Sequence, residues 1–254
     1  MRVFGVIALI AVLAVAGILV YNSSLFTVTK VTVSGVEHLT PSAMTDLAAV
    51  PTGTTLLRVD EAGIKARLAK EPWVKEVALK RVFPDTLEIA ITERTIAAVV
   101  DVPVDNAQKM ESWAISADGI WLMPIPPQGS EEAASVSPKV YEDAASALKI
   151  TGVPYDSGSS PRIGGSCSNE NVNNALAIVS GFTTSLKDQV RTVLATGPET
   201  TTLVLDNGVE IAFGTAEDIR DKERVCLELM DRYPGKLTYI NVRVVDKPTW
   251  RTIG

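Results

Sequence analysis

The sequence predicts an α+β protein with an apolar helix at its amino terminus. Residues 3–21 carry no charge, and residues 73–94 contain two runs in which apolar and polar side chains alternate. Alternation with a period of two indicates strands that bury one face, whereas apolar residues spaced i, i+3, i+4 indicate helices with one buried stripe. Helical spacing occurs before residues 73–94 and again towards the carboxy terminus. Such a succession predicts a sheet with helices packed on one face.

The amino-terminal segment, residues 3–21, contains 19 consecutive uncharged residues. A helix rises about 1.5 Å per residue, so this length can cross a hydrocarbon core of about 30 Å. Cleavage as a signal peptide is the alternative, because AVA at 14–16 is a small-x-small site. The apolar run continues beyond that site, which favours a retained anchor. Arg2 precedes the run, and the positive-inside rule therefore predicts a cytoplasmic amino terminus and an extracytoplasmic remainder.

The first exported segment, residues 26–94, predicts the order strand, helix, helix, strand, strand. Thr40 and Asp60 are residue types that cap helices, and each precedes a run with helical spacing. The two strands within 73–94 turn at Phe-Pro-Asp, 83–85. An unpaired edge of such a sheet can accept a strand from another chain. We expect the core of this segment to include Val33, Leu47, Leu68, Val77, Leu79, Leu87 and Ile89.

The remaining exported residues, 95–247, contain further signals of hairpins and helices. Asp-Gly at 118–119 and Asn-Gly at 207–208 lie between alternating runs, and both dipeptides are typical of two-residue hairpin turns. Apolar residues at helical spacing predict helices at 170–183 and at 216–232.

Composition and charge argue against nucleic-acid binding, metal binding and catalysis. The net charge is −6, whereas phosphate binding requires clustered Lys and Arg. His38 is the single histidine, and its polar neighbours indicate a surface turn rather than a catalytic triad. Two cysteines and one histidine are too few for a structural zinc site. We therefore expect no cofactor and no metal ion, and we interpret these acidic residues as parts of solvated faces: Glu142, Asp143, Glu217, Asp218 and Asp221.

The two cysteines, Cys167 and Cys226, allow two interpretations. Disulfides persist in exported domains, so the two thiols could form a disulfide bond. Cys226 also falls on the apolar stripe of the helix predicted at 216–232, where a free cysteine packs as a small apolar side chain. Both interpretations stand at this point.

Two long segments show a distinctive spacing: LFTVTKVTVSGVEHLT at 25–40, and GTTLLRVDEAGIKARLAKEPWVKEVALKRVFPDTLEIAITER at 53–94. They resemble the polypeptide-transport-associated (POTRA) domain of the FtsQ/DivIB cell-division proteins. ISADGIWLMP at 115–124 and the segments up to KLTYINVRVVD at 236–246 resemble the second, β domain of that family. The family usually has Pro-Val-Ala where this chain has TIA at 95–97. The first resemblance depends on Gly35, Gly53, Leu56, Leu68, Pro72, Val74, Val77, Arg81, Pro84, Glu93 and Arg94.

The resemblance implies four parts: a transmembrane anchor at 1–25, a POTRA-like domain at 26–94, a mixed β domain with flanking helices at 95–247 and a tail at 248–254. It implies a non-catalytic, single-pass type II membrane scaffold of the bacterial divisome at the septum. Such a scaffold links early division proteins to the septal peptidoglycan synthesis machinery through extracytoplasmic contacts, without a small-molecule substrate. The alternative is an extracytoplasmic binding protein, secreted or anchored, that has no role in division.

The resemblance also implies partners, namely FtsB-like and FtsL-like divisome subunits. The last predicted strand, at 236–245, alternates apolar and polar residues, and as the final strand it is expected at a sheet edge. A strand of the FtsB-like subunit would join that edge by β-augmentation. The predicted partner-binding residues are Tyr239, Ile240, Asn241, Val242, Arg243, Val244 and Val245.

Overall fold

The computed structural model describes residues 2–253, apart from the side chains of residues 2–4, 8, 9, 16, 19, 20 and 22. The chain divides into two compact units, Met1–Glu93 and Arg94–Gly254. The backbone of the predicted anchor forms helix α1, Arg2–Asn22, whose side chains lie partly outside the described residues. Within the described part of the chain, no helix is long and apolar enough to cross a membrane.

The first unit contains a three-stranded sheet and two short helices besides α1. These elements are β1 (Lys30–Ser34), α2 (Pro41–Ala48), α3 (Glu61–Leu68), β2 (Val74–Val82) and β3 (Thr86–Glu93). The strands lie in the order β1-β3-β2, with β1 parallel and β2 antiparallel to the central β3. The predicted order strand, helix, helix, strand, strand is confirmed.

Both short helices begin at the predicted capping residues. Thr40 Oγ1 accepts a hydrogen bond from the Ala43 N–H at 3.3 Å, and Asp60 Oδ1 accepts one from the Gly63 N–H at 2.9 Å. Such caps satisfy N–H groups that have no partner within the first turn, and each stabilises its helix by about 1 kcal/mol. Isolated helices of this length are marginal in water, so α2 and α3 depend on packing against the sheet.

The core of the first unit centres on β3. Leu87, Ile89 and Ile91 of this strand are buried, and they share one apolar cluster with Met44 of α2 and Leu68 of α3. The predictions that Leu68, Leu87 and Ile89 are core residues are therefore confirmed. The other predicted core residues are partly buried and pack against the same cluster: Val33, Leu47, Val77 and Leu79.

Gly35 ends β1 in a conformation that favours glycine. Its φ is 81°, in the left-handed region, and a Cβ at this position would overlap the carbonyl oxygen of Ile91 on β3. A side chain here would therefore meet both backbone strain and a steric clash.

The second unit is built on a mixed sheet of nine strands. Its elements are β4 (Ile96–Val104), β5 (Lys109–Ser116), β6 (Trp121–Pro124), α4 (Pro138–Ser146), β7 (Leu148–Thr151), α5 (Glu170–Gly181), α6 (Thr184–Lys187), β8 (Val190–Leu194), β9 (Thr202–Leu205), β10 (Glu210–Ala212), α7 (Ile219–Arg232), β11 (Leu237–Asn241) and β12 (Thr249–Thr252). The order across the sheet is β12-β11-β10-β9-β8-β7-β4-β5-β6. The pairs β4-β7, β7-β8 and β10-β11 are parallel, and the other neighbours are antiparallel. Together the two units confirm the predicted α+β class.

Helices α5 and α7 pack into the main core of the second unit. Val172, Ala175 and Val179 of α5 are buried in one cluster with Cys226 and Leu229 of α7 and with residues of the sheet. The apolar stripe predicted for residues 170–183 is therefore confirmed.

Helix α7 begins later than the sequence predicts. The predicted start is residue 216, whereas the helix starts at Ile219, preceded by Asp218 with a φ of 49°. A residue in this left-handed conformation cannot continue a right-handed helix, so α7 starts after it.

Candidate functional site

The second unit ends in an edge strand that another chain could extend. β12 pairs antiparallel with β11, and no other described strand lies beside it. All four residues of β12 are exposed. An edge strand presents N–H and C=O groups to which a strand of another chain can hydrogen-bond. β12 is therefore the candidate interaction site.

The hydrogen-bond pattern shows which main-chain groups of β12 face outward. The Ile253 N–H donates to the Lys236 carbonyl oxygen at 2.8 Å. Ile253 and Lys236 are the neighbours of Thr252 and Leu237, which lie opposite each other in the two strands. In an antiparallel ladder, hydrogen-bonded and non-hydrogen-bonded pairs alternate, so two opposite residues whose neighbours are bonded in this way make no main-chain hydrogen bonds to each other. The N–H and C=O groups of Thr252 therefore point away from β11, and by alternation so do those of Trp250.

Two side-chain contacts hold β12 in place. The indole ring of Trp250 lies 5.8 Å from the ring of Tyr233, measured between centroids. The Arg251 guanidinium lies 5.0 Å from the centre of the Tyr239 ring. Cation–π and aromatic contacts at exposed sites are each worth about 0.5–1 kcal/mol. β12 is thus ordered against the sheet while its outer side stays open.

The opposite edge of the sheet is already hydrogen-bonded. β6 forms that edge, and the loop at 164–167 runs along it. The Trp121 N–H donates to the Gly165 carbonyl oxygen at 2.9 Å, and the Gly164 N–H donates to the Trp121 carbonyl oxygen at 2.8 Å. A further bond joins the Cys167 N–H to the Gly119 carbonyl oxygen at 2.7 Å. Because this loop occupies the outward N–H and C=O groups of Trp121, that edge is a poorer site for strand addition than β12.

The structure places the predicted partner-binding residues away from the edge. Tyr239, Ile240 and Asn241 belong to β11, which is paired with β10 on one side and with β12 on the other. Residues 242–245, which include Arg243, Val244 and Val245, lie outside any strand. The Val242 N–H donates to the Ala212 carbonyl oxygen within the unit. The prediction that this segment is the final, edge strand is wrong, because a further strand follows it.

The prediction of a tail at 248–254 is wrong for the same reason, since these residues contain β12. A strand of four residues is too short for alternation to be recognised. The signal that could have indicated it is the sequence TWRT directly after Pro248, because Thr and Trp favour strands.

His38 is not on a surface turn, as the sequence indicated. Its side chain is 4% exposed, and its ring stacks on Trp73 with centroids 4.1 Å apart. The ring nitrogen Nδ1 lies 2.7 Å from Glu93 Oε2. His38 is therefore part of the packed interior of the first unit.

Cys167 and Cys226 are free thiols, so the disulfide interpretation does not hold in the structure. Cys226 is fully buried in the core, where burial and, to a smaller extent, the Glu223 carboxylate raise its pKa to about 12. Burial also raises the pKa of the half-buried Cys167. Cys226 thus packs as a small apolar side chain. Among the described residues, no three His, Cys, Asp or Glu side chains come together as metal ligands would.

Residues 26–94 match the family model of the POTRA domain, FtsQ-type, which defines the first unit as a POTRA domain. Residues 107–246 match the family model of the cell division protein FtsQ/DivIB, C-terminal domain. The chain therefore belongs to the FtsQ/DivIB family of cell-division proteins, and the resemblance seen in the sequence is confirmed.

Individual relatives are named cell division protein FtsQ. The chain is 29% identical to the cell division protein FtsQ of Streptomyces collinus over 241 residues, which are 92% of this chain and 83% of that protein. It is 37% identical to the FtsQ of Geobacter sp. (strain M21) over 40% of this chain and 38% of that protein. For the FtsQ of Anaeromyxobacter sp. (strain K), the identity is 32% over 40% of this chain and 36% of that protein. The match thus spans little more than a third of the latter two relatives.

Proposed function

We propose that this chain is a non-catalytic scaffold of the bacterial divisome that binds its partners outside the cytoplasm through strand addition. Its role is to link early division proteins to the septal peptidoglycan synthesis machinery. The observation that carries the proposal is the open edge of β12, in a chain of a cell-division family. Main-chain pairing at such an edge supplies affinity without catalysis.

The proposal includes a membrane location at the septum, with a cytoplasmic amino terminus. It is supported by the 19 uncharged residues at 3–21 and by Arg2 before them. Apolar side chains described along α1, among them Val12 and Leu13, are exposed rather than packed against the first unit. A bilayer would remove such side chains from water.

The partner proposed for β12 is a strand of an FtsB-like subunit, which itself connects to an FtsL-like subunit. The incoming strand would hydrogen-bond to the outward N–H and C=O groups of Trp250 and Thr252. This replaces the residues predicted from the sequence, 239–245, as the hydrogen-bonding edge. Tyr239 remains next to the site, because Arg251 stacks on its ring.

Depletion of the protein in its own bacterium tests the role in division. We expect depleted cells to form filaments or chains of unseparated cells, because the septal machinery would lack its link. Re-expression of the parent chain should restore normal cell length. Division at normal length without the protein would contradict the proposed role.

Thr252→Pro tests the proposed edge. Proline removes the outward N–H and places a ring in the path of an incoming strand. Leaving one partner carbonyl unpaired costs about 1–3 kcal/mol, so we expect the affinity for the FtsB-like segment to fall about 5- to 150-fold. Calorimetric titration of the full chain with that segment measures the change.

Thr252→Ala is the matched control, because it removes the same exposed side chain and keeps the N–H. Its affinity should stay close to that of the parent. Circular dichroism of both variants checks that the sheet is intact. Equal affinities for folded Thr252→Pro and Thr252→Ala would show that β12 is not the binding edge.

A further inference from the structure

One end of the first unit carries a cluster of exposed apolar side chains. Leu25 is 74% exposed and Phe83 is 53% exposed. Phe83 lies at the turn between β2 and β3, and its ring packs edge-to-face on Phe26 with centroids 5.2 Å apart. Leu25 and Phe26 belong to a short 3-10 turn, Ser24–Phe26, that follows α1. We call Leu25, Phe26 and Phe83 the apolar tip.

The chain itself limits how far the apolar tip lies from the end of α1. Phe26 is four residues beyond Asn22, the last residue of that helix. Four residues span at most about 14 Å even when fully extended, and the 3-10 turn within this stretch is more compact than that. The contact between Phe26 and Phe83 then brings the turn of the hairpin to the same place.

Charged groups around the apolar tip also fit a membrane surface. The Arg58 guanidinium lies 5.1 Å from the centre of the Tyr21 ring, at the end of α1. Lys30 is exposed at the start of β1. Basic residues next to a membrane are attracted to anionic headgroups. One acidic group also lies beside the apolar tip, the carboxylate of Asp85, which accepts hydrogen bonds from the Thr29 and Thr86 hydroxyls that lower its pKa, so only the two basic residues contribute attraction to anionic headgroups.

We propose that the apolar tip inserts into the headgroup region of the membrane and holds the first unit at the bilayer surface. The proposal rests on the membrane anchor proposed above, because α1 must end at that surface. Phe and Leu side chains on the apolar face of a surface segment are buried at the boundary between headgroups and acyl chains, where they leave water. The hairpin between β2 and β3 thus gives the first unit a second contact with lipid, separate from the anchor.

Fluorescence quenching of the full chain in nanodiscs tests this contact. The discs contain phosphatidylethanolamine and phosphatidylglycerol, with a nitroxide either on the headgroup or deep in the acyl chain. An environment-sensitive label is attached at Phe83→Cys, Lys75→Cys or Leu13→Cys, each combined with Cys167→Ser so that the remaining native thiol is the buried Cys226. Lys75 is the matched control, because it is exposed at the opposite end of the strand that leads to Phe83.

We expect the headgroup nitroxide to quench the label at position 83 at least about twofold more than the label at position 75. The two positions are eight residues apart, which is roughly 26 Å along a strand, whereas the headgroup layer is only about 5–8 Å thick. A label at Asp85→Cys, on the same hairpin turn as Phe83, should be quenched as strongly as the label at position 83. This second position keeps the test valid if circular dichroism shows that Phe83→Cys is unfolded.

Two outcomes would overturn the proposal, and they differ in what else they affect. Weak, equal headgroup quenching at positions 83, 85 and 75, with strong deep quenching at position 13, would exclude the insertion of the apolar tip and keep the anchor. Absence of deep quenching at position 13 would exclude the anchor itself, and with it the membrane part of the proposed function.

Discussion

Replacing Ile89 by alanine is expected to destabilise the first unit by about 2–5 kcal/mol, the range found for truncating a fully buried isoleucine. Ile89 has no exposed surface. The loss combines the transfer free energy of the deleted methyl and methylene groups with the cost of the cavity that they leave. Since whole domains are stable by only about 5–15 kcal/mol, this is a large fraction of the total.

The position of Ile89 explains why the cavity should not collapse. It lies on the central strand, opposite Val33 of β1 and opposite Leu79 of β2. Hydrogen-bonded strands on both sides fix the backbone of β3, and α2 and α3 cover its buried face. A site that cannot relax retains most of its cavity, which places the cost towards the upper part of the range.

Amide hydrogen exchange of the full chain measures this effect for each unit separately. Amides of β3 should lose protection by the full amount, whereas amides of β8 in the second unit should be unchanged. Thr92→Ala is the control, because Thr92 is exposed on the other face of the same strand. Its cost should stay below about 1 kcal/mol. An equally small loss for Ile89→Ala would contradict the burial of this side chain.

Local features of the fold could be predicted from the sequence. The hairpin of β2 and β3 follows from its alternation, the starts of α2 and α3 follow from Thr40 and Asp60, and the buried stripe of α5 follows from its spacing. In each case the signal lies within one element, because side-chain periodicity and capping depend on neighbours in the sequence.

The neighbours of each strand in the sheet could not be predicted in the same way. β10 pairs in parallel with β11 although the whole of α7 lies between them, and β7 is inserted between β4 and β8. Such pairing depends on long-range packing that alternation does not encode. The same limitation explains why the sequence predicts β11 as the edge strand. β11 alternates as an edge strand would, and the four residues of β12, which pair with it on its outer side, carry almost no pattern.

The candidate site combines a feature that the sequence indicates with one that only the fold determines. The resemblance implies a class of partner and directs attention to the carboxy-terminal region, whereas the hydrogen-bond pattern shows which strand is at the edge. Strand addition uses main-chain groups. The side chains of β12 therefore give little indication in the sequence that this strand is a binding edge. In the proposed strand addition, Thr252 and Trp250 would act through the direction in which their N–H and C=O groups point.

Burial of His38 is the clearest case of a long-range contact that sequence did not reveal. Its partner Glu93 is 55 residues away, at the end of β3. Oε2 of Glu93 accepts a hydrogen bond from the backbone N–H of His38 at 3.0 Å, and it lies within hydrogen-bond distance of the ring Nδ1, at 2.7 Å. Oε1 accepts a bond from the Leu39 N–H at 3.0 Å. One carboxylate thus fixes the loop that leads into α2 to the end of the central strand.

Glu93→Ala is accordingly expected to destabilise the first unit by about 3 kcal/mol or more, because three polar groups lose a hydrogen-bond partner at about 1–3 kcal/mol each. The side chain of Glu93 is 8% exposed, so water cannot replace the three lost hydrogen bonds freely. Glu93→Gln should cost about 1–3 kcal/mol, because its amide keeps one accepting oxygen.

Glu88→Ala is the control: Glu88 pairs with Lys80 at 3.4 Å on the exposed face of the same sheet, and such pairs contribute about 0–1 kcal/mol. Exchange rates of the β3 amides should therefore rise in the order Glu88→Ala, Glu93→Gln, Glu93→Ala. If Glu93→Ala changes them no more than Glu88→Ala does, the carboxylate does not hold the loop to the sheet, and the burial of His38 must depend on its stacking against Trp73 instead.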